Sequence, residues 1–173
     1  EDVPPFIAMD RGLRARGFSA PKIVAADRDA GLLILEDLGH ETIVSGDPPA
    51  PIEERYQAAV DLLAELHRQP LPHVLPVVPS VDYQLPRYDL DAYLIEVELL
   101  IDWYLPRFNA RIGEAERQSY LALWHDAVQP ALNSDPTWVL RDYHSPNLLW
   151  LPERDGIQRV GLLDFQDAQW GPA

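Results

Sequence analysis

Leu140-Arg141-Asp142-Tyr143-His144-Ser145-Pro146-Asn147-Leu148-Leu149-Trp150-Leu151 is a polar loop running into an apolar strand. Pro152-Glu-Arg-Asp-Gly156 then supplies turn residues, and Val160-Gly-Leu-Leu-Asp164 is a second short apolar run that ends on an acid. The pattern is that of a β-hairpin with Asp142 and Asn147 before its first strand and Asp164 at the end of its second. Three oxygen-bearing side chains therefore converge at the open end of one hairpin. Asp142 can accept a hydrogen bond from an attacking hydroxyl and orient it. Asn147 and Asp164 offer hard oxygen donors of the kind magnesium prefers. Phosphoryl transfer needs this set, since the protein contributes alignment and charge neutralisation rather than covalent chemistry.

Outward from the hairpin, the chain is mostly helical. Apolar residues from Leu90 to Tyr104 and from Glu114 to Leu132 recur at helical spacing, the second stretch with Pro130 near its end. Both are expected to form core on one face. A helix from Pro51 to Gln69 is stopped by Pro70. The prolines at 70, 72, 76, 79 and 86 predict an extended connector without regular structure. At the N-terminal side, Pro4-Pro5 opens a short helix that Gly17 closes. Two β-prone runs, 22–26 and 32–35, flank the turn Asp27-Arg-Asp-Ala-Gly31. A short Trp138-Val-Leu run precedes the catalytic loop. Helices and small hairpins together make the class α+β.

Composition bounds the function. The 173 residues include no cysteine, which excludes disulfides and thiolate metal sites and fits a cytoplasmic location. No apolar run is long enough to span a bilayer, and Glu1 to Pro5 has no signal-peptide character. Twenty-eight acids against 14 bases give a formal charge of −14, which disfavours nucleic acid and anionic membranes as partners and suits a small neutral or cationic substrate. The histidines at 40, 67, 73, 125 and 144 have no paired metal-ligand spacing. The tryptophans at 103, 124, 138 and 150 read as core, with Trp103 the candidate for a sugar platform.

The segment Arg141-Asp142-x-x-x-x-Asn147 with Leu163-Asp164-Phe165 resembles the catalytic and metal-binding loops of the aminoglycoside phosphotransferase and choline kinase-like superfamily. Gly31-Leu-Leu-Ile-Leu-Glu-Asp-Leu-Gly39 is similar to the strand and hinge that join its two lobes, and Leu62 to His67 to the helix after the hinge. The catalytic loop, with Gly161 to Ala168 and Gly171-Pro172, is similar to bacterial cell-wall kinases that phosphorylate N-acetylmuramate and N-acetylglucosamine at the anomeric hydroxyl. Glu98 to Leu105 resembles the substrate-facing helical region of that subgroup.

The resemblance implies an incomplete protein-kinase-like fold, with residues 1–38 the remainder of an ATP-binding lobe and hinge and 39–173 a partial catalytic lobe. It implies ATP and Mg2+ as cofactors. Asp142 is then catalytic, Asn147 and Asp164 hold metal, Glu36, Asp37 and Leu38 contact nucleotide, and Glu98, Asp102 and Trp103 contact the acceptor. Three readings stay open: an amino-sugar kinase, an aminoglycoside or other amino-alcohol phosphotransferase, and a non-catalytic kinase-like binding module.

The sequence departs from the family pattern in several ways. Leu140 stands where relatives carry a loop-bracing histidine, and Gln166 where many carry glycine. No Gly-rich loop is present, and Lys22, the one lysine, follows the first helix instead of preceding it; Arg11, Arg14 and Arg16 lie on the wrong element. Glu1 or Asp2 could stand for the acid that pairs with the phosphate lysine, although a solvated terminus is the simpler reading. The family continues beyond the metal-binding loop, whereas this chain stops at Trp170-Gly-Pro-Ala173, so a fragment of a longer kinase is expected, inactive alone.

Overall fold

The computed structural model describes residues 3–47 and 50–172; Glu1 and Asp2, considered above for an acidic role, lie outside them. The elements are α1 (Val3–Arg14), β1 (Ile23–Asp27), β2 (Leu32–Leu35), α2 (Ile52–His67), β3 (Val74–Val78) and β4 (Val81–Gln84). They continue with α3 (Leu90–Leu99), a π-helical turn (Leu100–Tyr104), α4 (Leu105–Arg107), α5 (Glu114–Leu132) and β5 (Thr137–Val139). β6 (Leu148–Trp150), β7 (Val160–Leu162) and β8 (Gln169–Gly171) complete the order. All strand pairs are antiparallel, β1 with β2, β3 with β4, β5 with β8 and β6 with β7. Helices with small antiparallel sheets are the α+β class expected.

The chain divides into two compact units. The first holds the described residues up to Leu85 together with Leu140–Ala168. Its core is built on α1, which opens on prolines in its first turn and ends where Gly17, at φ 85°, reverses the chain. Ile7, Ala8, Met9 and Leu13 of α1 are buried with Leu62 and Leu66 of α2, and with Leu148, Val160 and Leu162 of the hairpin. The β6–β7 hairpin has backbone partners on both outer edges. Ile43 donates to the carbonyl of Leu148 at 3.0 Å and Trp150 to that of Glu41 at 2.8 Å, while Leu162 donates to Ser19 at 2.9 Å. By contrast, β1 and β2 are open on both faces, with Val24, Leu32 and Ile34 each more than 60% exposed.

The proline-rich stretch corrects the expectation of an irregular connector. It contains the β3–β4 hairpin, in which Leu75 and Val77 are buried in strict alternation and Ser80 turns the chain at φ 66°. Pro76 is tolerated because the register shifts between Pro76 and Val78, so its missing N–H falls at an irregularity of the ladder. Arg11 of α1 donates to the carbonyl of Val77, which fastens this hairpin to the helix.

The second unit comprises Pro86–Val139 and the residues from Gln169 on. Asp89 caps α3 by accepting from the N–H of Ala92 at 3.3 Å. The expected faces are present but only half-covered: Leu90, Tyr93, Leu94 and Val97 of α3 lie at helical spacing and are half-buried while Ile95 and Leu99 are exposed, no residue of α3 is fully buried, and of α5 only Val128 is. The run expected as one helix from Leu90 to Tyr104 closes its last five residues as a π turn, while Pro130 is accommodated within the last turn of α5. Trp138 on β5 is fully buried, and its strand pairs with β8, an element too short for sequence periodicity to reveal.

Candidate functional site

The β6–β7 register sets the site. Leu148 lies opposite Leu162, so Asn147 and Leu163 face each other one step beyond, and Leu163 donates to the carbonyl of Asn147 at 2.9 Å. Asp164 follows immediately at φ 57°, a left-handed conformation that aspartate accepts more readily than most residues. On the other strand, Ser145–Asn147 forms a single 3-10 turn that carries the chain from Asp142 into β6. The hairpin therefore brings all three predicted residues to its open end.

Asn147 is the hub. Its amide nitrogen lies 3.1 Å from the carbonyl of Asp142, 3.2 Å from Oδ2 of Asp164 and 3.4 Å from Nε2 of His144. The carbonyl and the carboxylate can only accept, so they fix the sense of the amide, take its two hydrogens and leave its Oδ1 unspent. Asp164 is held on its other oxygen, where Gln166 Nε2 donates to Oδ1 at 2.6 Å. Each carboxylate oxygen keeps lone-pair capacity after one such bond. The carboxylate of Asp142 makes no hydrogen bond among the described residues. The site thus offers an unpaired carboxylate beside two hard oxygen ligands, and the donor set fits a magnesium ion at Asn147 Oδ1 and Asp164.

Behind these groups the packing is apolar and close. A void of about 10 Å3, at the lower limit for one water, is lined by Leu140, Tyr143 and Phe165 together with the two aspartates. Leu140 and Phe165 are 6% and 2% exposed. Leu140 is thus a buried apolar anchor.

Glu36, Asp37 and Leu38, expected at a hinge, lie in the same unit and have distinct environments. The Glu36 carboxylate accepts from the backbone N–H of Lys22 and from Arg154, both at 2.9 Å, with Arg14 at 3.8 Å. Asp37 Oδ1 accepts from the N–H of Gly39 at 2.8 Å, and Gly39 takes φ 85°. The backbone groups of Asp37 and Leu38 make no hydrogen bond among the described residues, so they are available to a ligand. Leu38 packs toward β7 over Gly161, where an added Cβ would come within 3.3 Å of Leu38 Cδ1. That glycine lets Leu38 approach the hairpin.

Glu98, Asp102 and Trp103 belong to the other compact unit. Arg117 on α5 donates to both oxygens of Asp102, at 2.7 and 3.2 Å, and to Glu98 at 3.1 Å. These hydrogen bonds hold the Asp102 carboxyl below its ordinary range and raise the Arg117 guanidinium above its own. Trp103, in the π turn, is 72% exposed.

The sequence pattern of the phosphotransferase enzyme family (APH) matches residues 1–173. The chain belongs to that family. It is 40% identical over 171 residues to the N-acetylmuramate/N-acetylglucosamine kinase of Caulobacter vibrioides, a match covering 96% of this chain and 46% of that protein. It is 32% identical to the protein of the same name from Pseudomonas aeruginosa and 30% identical to that from Pseudomonas putida, each match covering 99% of this chain and 47% of the relative. The chain thus spans about half the length of the curated relatives it matches.

Sequence reasoning passed over two residues of the site. Gln166, which the sequence marks only as a departure from the family pattern, holds Asp164 through its amide; its two-residue spacing from a metal-ligand candidate is the available signal. His144 brings its Nε2 to 3.4 Å from the Asn147 amide, which no spacing rule indicates. Among the described residues, no helix is long and apolar enough to cross a membrane.

Proposed function

We propose that the complete protein is an ATP-dependent phosphotransferase that phosphorylates a hydroxyl of an N-acetylated amino sugar. The observation that carries this reading is the free Asp142 carboxylate beside an Asn147–Asp164 pair whose hydrogen bonds leave oxygens facing outward. Membership of a phosphotransferase family supports the reaction class, and the names of the relatives support the acceptor.

Asp142 accepts the hydrogen bond of the acceptor hydroxyl and aligns its oxygen for attack. Asn147 Oδ1 and the Asp164 carboxylate would hold a magnesium ion, with Gln166 and His144 beside them, and the ion would supply charge neutralisation at the transferring phosphoryl group. The free backbone groups of Asp37 and Leu38 receive the adenine edge, and Glu36 anchors the hinge through Lys22 and Arg154. Trp103, Glu98 and Asp102 are assigned to the acceptor on the resemblance alone; Trp103 is exposed, and Arg117 binds both carboxylates. ATP as donor assigns the protein to the cytoplasm.

The division into an ATP-binding lobe ending at Leu38 and a catalytic lobe beginning at Gly39 belongs to the same proposal. It is a division by role: by packing, the residues up to Leu38 share one compact unit with 39–85 and 140–168, while 86–139 and the residues from Gln169 on form the other. The apolar side chains open on both faces of β1–β2 support it, because an isolated two-stranded hairpin is marginal and a larger sheet would cover them.

The test is magnesium-dependent ADP release by the complete protein across a panel of acceptors. Turnover with N-acetylglucosamine or N-acetylmuramate is expected. Turnover confined to aminoglycosides would reassign the acceptor, and nucleotide binding without turnover on any acceptor would favour a kinase-like binding module.

A further inference from the structure

Asp142 is shared by two consecutive three-residue turns. Its N–H donates to the carbonyl of Leu140 at 2.7 Å, and its own carbonyl accepts from the N–H of His144 at 3.0 Å. The first turn is centred on Arg141 at φ 58°, a conformation that non-glycine residues adopt rarely and that local forces do not favour. Such a backbone persists only when contacts from elsewhere in the fold over-determine it.

One such contact crosses 84 residues of sequence. The hydroxyl of Tyr143 donates to the carbonyl of Ala59 in α2 at 2.7 Å. Ala59 is 4% exposed, so water has little access to replace this bond. Burial pushes the phenol well above its ordinary range, and the hydroxyl remains a donor throughout the physiological pH range. α2 is itself anchored: Arg55 donates to the carbonyl of Ile43 at 2.7 Å, and Ile43 donates to Leu148 at the start of β6. The loop is therefore fastened into the hairpin at Asn147 and onto α2 at Tyr143, with Asp142 adjoining the second tie.

We propose that Tyr143 is the positioning residue of this loop, its hydroxyl on the Ala59 carbonyl aiming the Asp142 carboxylate and supplying the bracing that an apolar Leu140 cannot. The inference rests on the phosphotransfer reading of Asp142. Tyr143→Phe in the complete protein keeps the ring and removes the one donor. Its kcat is expected to fall about tenfold while KM for ATP and acceptor stays within about twofold, since misplacing a reacting group costs rate more than binding. Hydrogen exchange of the 141–147 amides should accelerate while that of α2 and β6 does not.

A variant with wild-type kcat, or one that raises KM with kcat unchanged, would overturn the proposal, as would loop amides that exchange no faster. If the unsubstituted protein shows no turnover, the phosphotransfer reading fails, and the exchange comparison decides separately whether Tyr143 holds the loop.

Discussion

Asp10, in the middle of α1, is 2% exposed and its Oδ1 is buried with no hydrogen-bond partner among the described residues. Desolvation pushes its carboxyl from 3.8 up to about 6, against the pull of Arg14 and Arg11 and with a further push from Glu36. Between these two values the folded chain holds a proton that the unfolded chain has lost. Stability therefore falls as pH rises through that window, and the whole cost is present above it. A displacement of about two pH units corresponds to about 3 kcal/mol. Asp10→Asn removes the charge and with it this pH dependence. Above pH 6 the variant should be more stable than the parent by about 1 to 3 kcal/mol, the lower end allowing for an amide N–H left without an acceptor. Near pH 4 the advantage should vanish. The assay is the urea midpoint of both proteins from pH 4 to 8. Parallel curves for the two, with no divergence between pH 4 and 6, would refute the reasoning.

Two further tests address packing and charge. A Cβ at Gly171 would lie 2.4 Å from the Tyr88 carbonyl oxygen, a backbone atom, whereas one at Gly161 would meet only side-chain atoms at 3.2 Å or more. Gly171→Ala should therefore cost about 2 to 3 kcal/mol and Gly161→Ala about 1 kcal/mol, and thermal melts giving the reverse order would contradict these contacts. Arg117→Met removes the donors that hold down the Asp102 carboxyl, whose pKa should move up toward the ordinary range. An NMR titration of the Asp102 carboxyl carbon reads this directly, and an unchanged midpoint would disprove the clamp.

Sequence made the hairpin legible because Leu148 to Leu151 and Val160 to Leu163 are apolar runs bounded by turn residues. The spacing of Asp142, Asn147 and Asp164 around that hairpin then located the candidate site. Where tertiary contacts decide, the reading failed. Pro76 argued against a strand, yet a local irregularity removes the need for its N–H. Helical periodicity through Tyr104 could not distinguish α from π winding at Leu100–Tyr104, since both keep side chains turning about one axis. The apolar residues of α3 predicted burial, but burial depends on how much partner surface is at hand. Gln166, His144 and Tyr143 act through hydrogen bonds to residues whose proximity only the folded chain creates.

The central claim is that Asp142 orients the attacking hydroxyl while Asn147 and Asp164 hold the metal. It is tested most directly by Asp142→Ala in the complete protein, with kcat and ATP affinity measured on the same preparation. The account predicts a kcat lower by about 10²- to 10⁴-fold with ATP binding near that of the parent. Near-parental kcat in Asp142→Ala would contradict it.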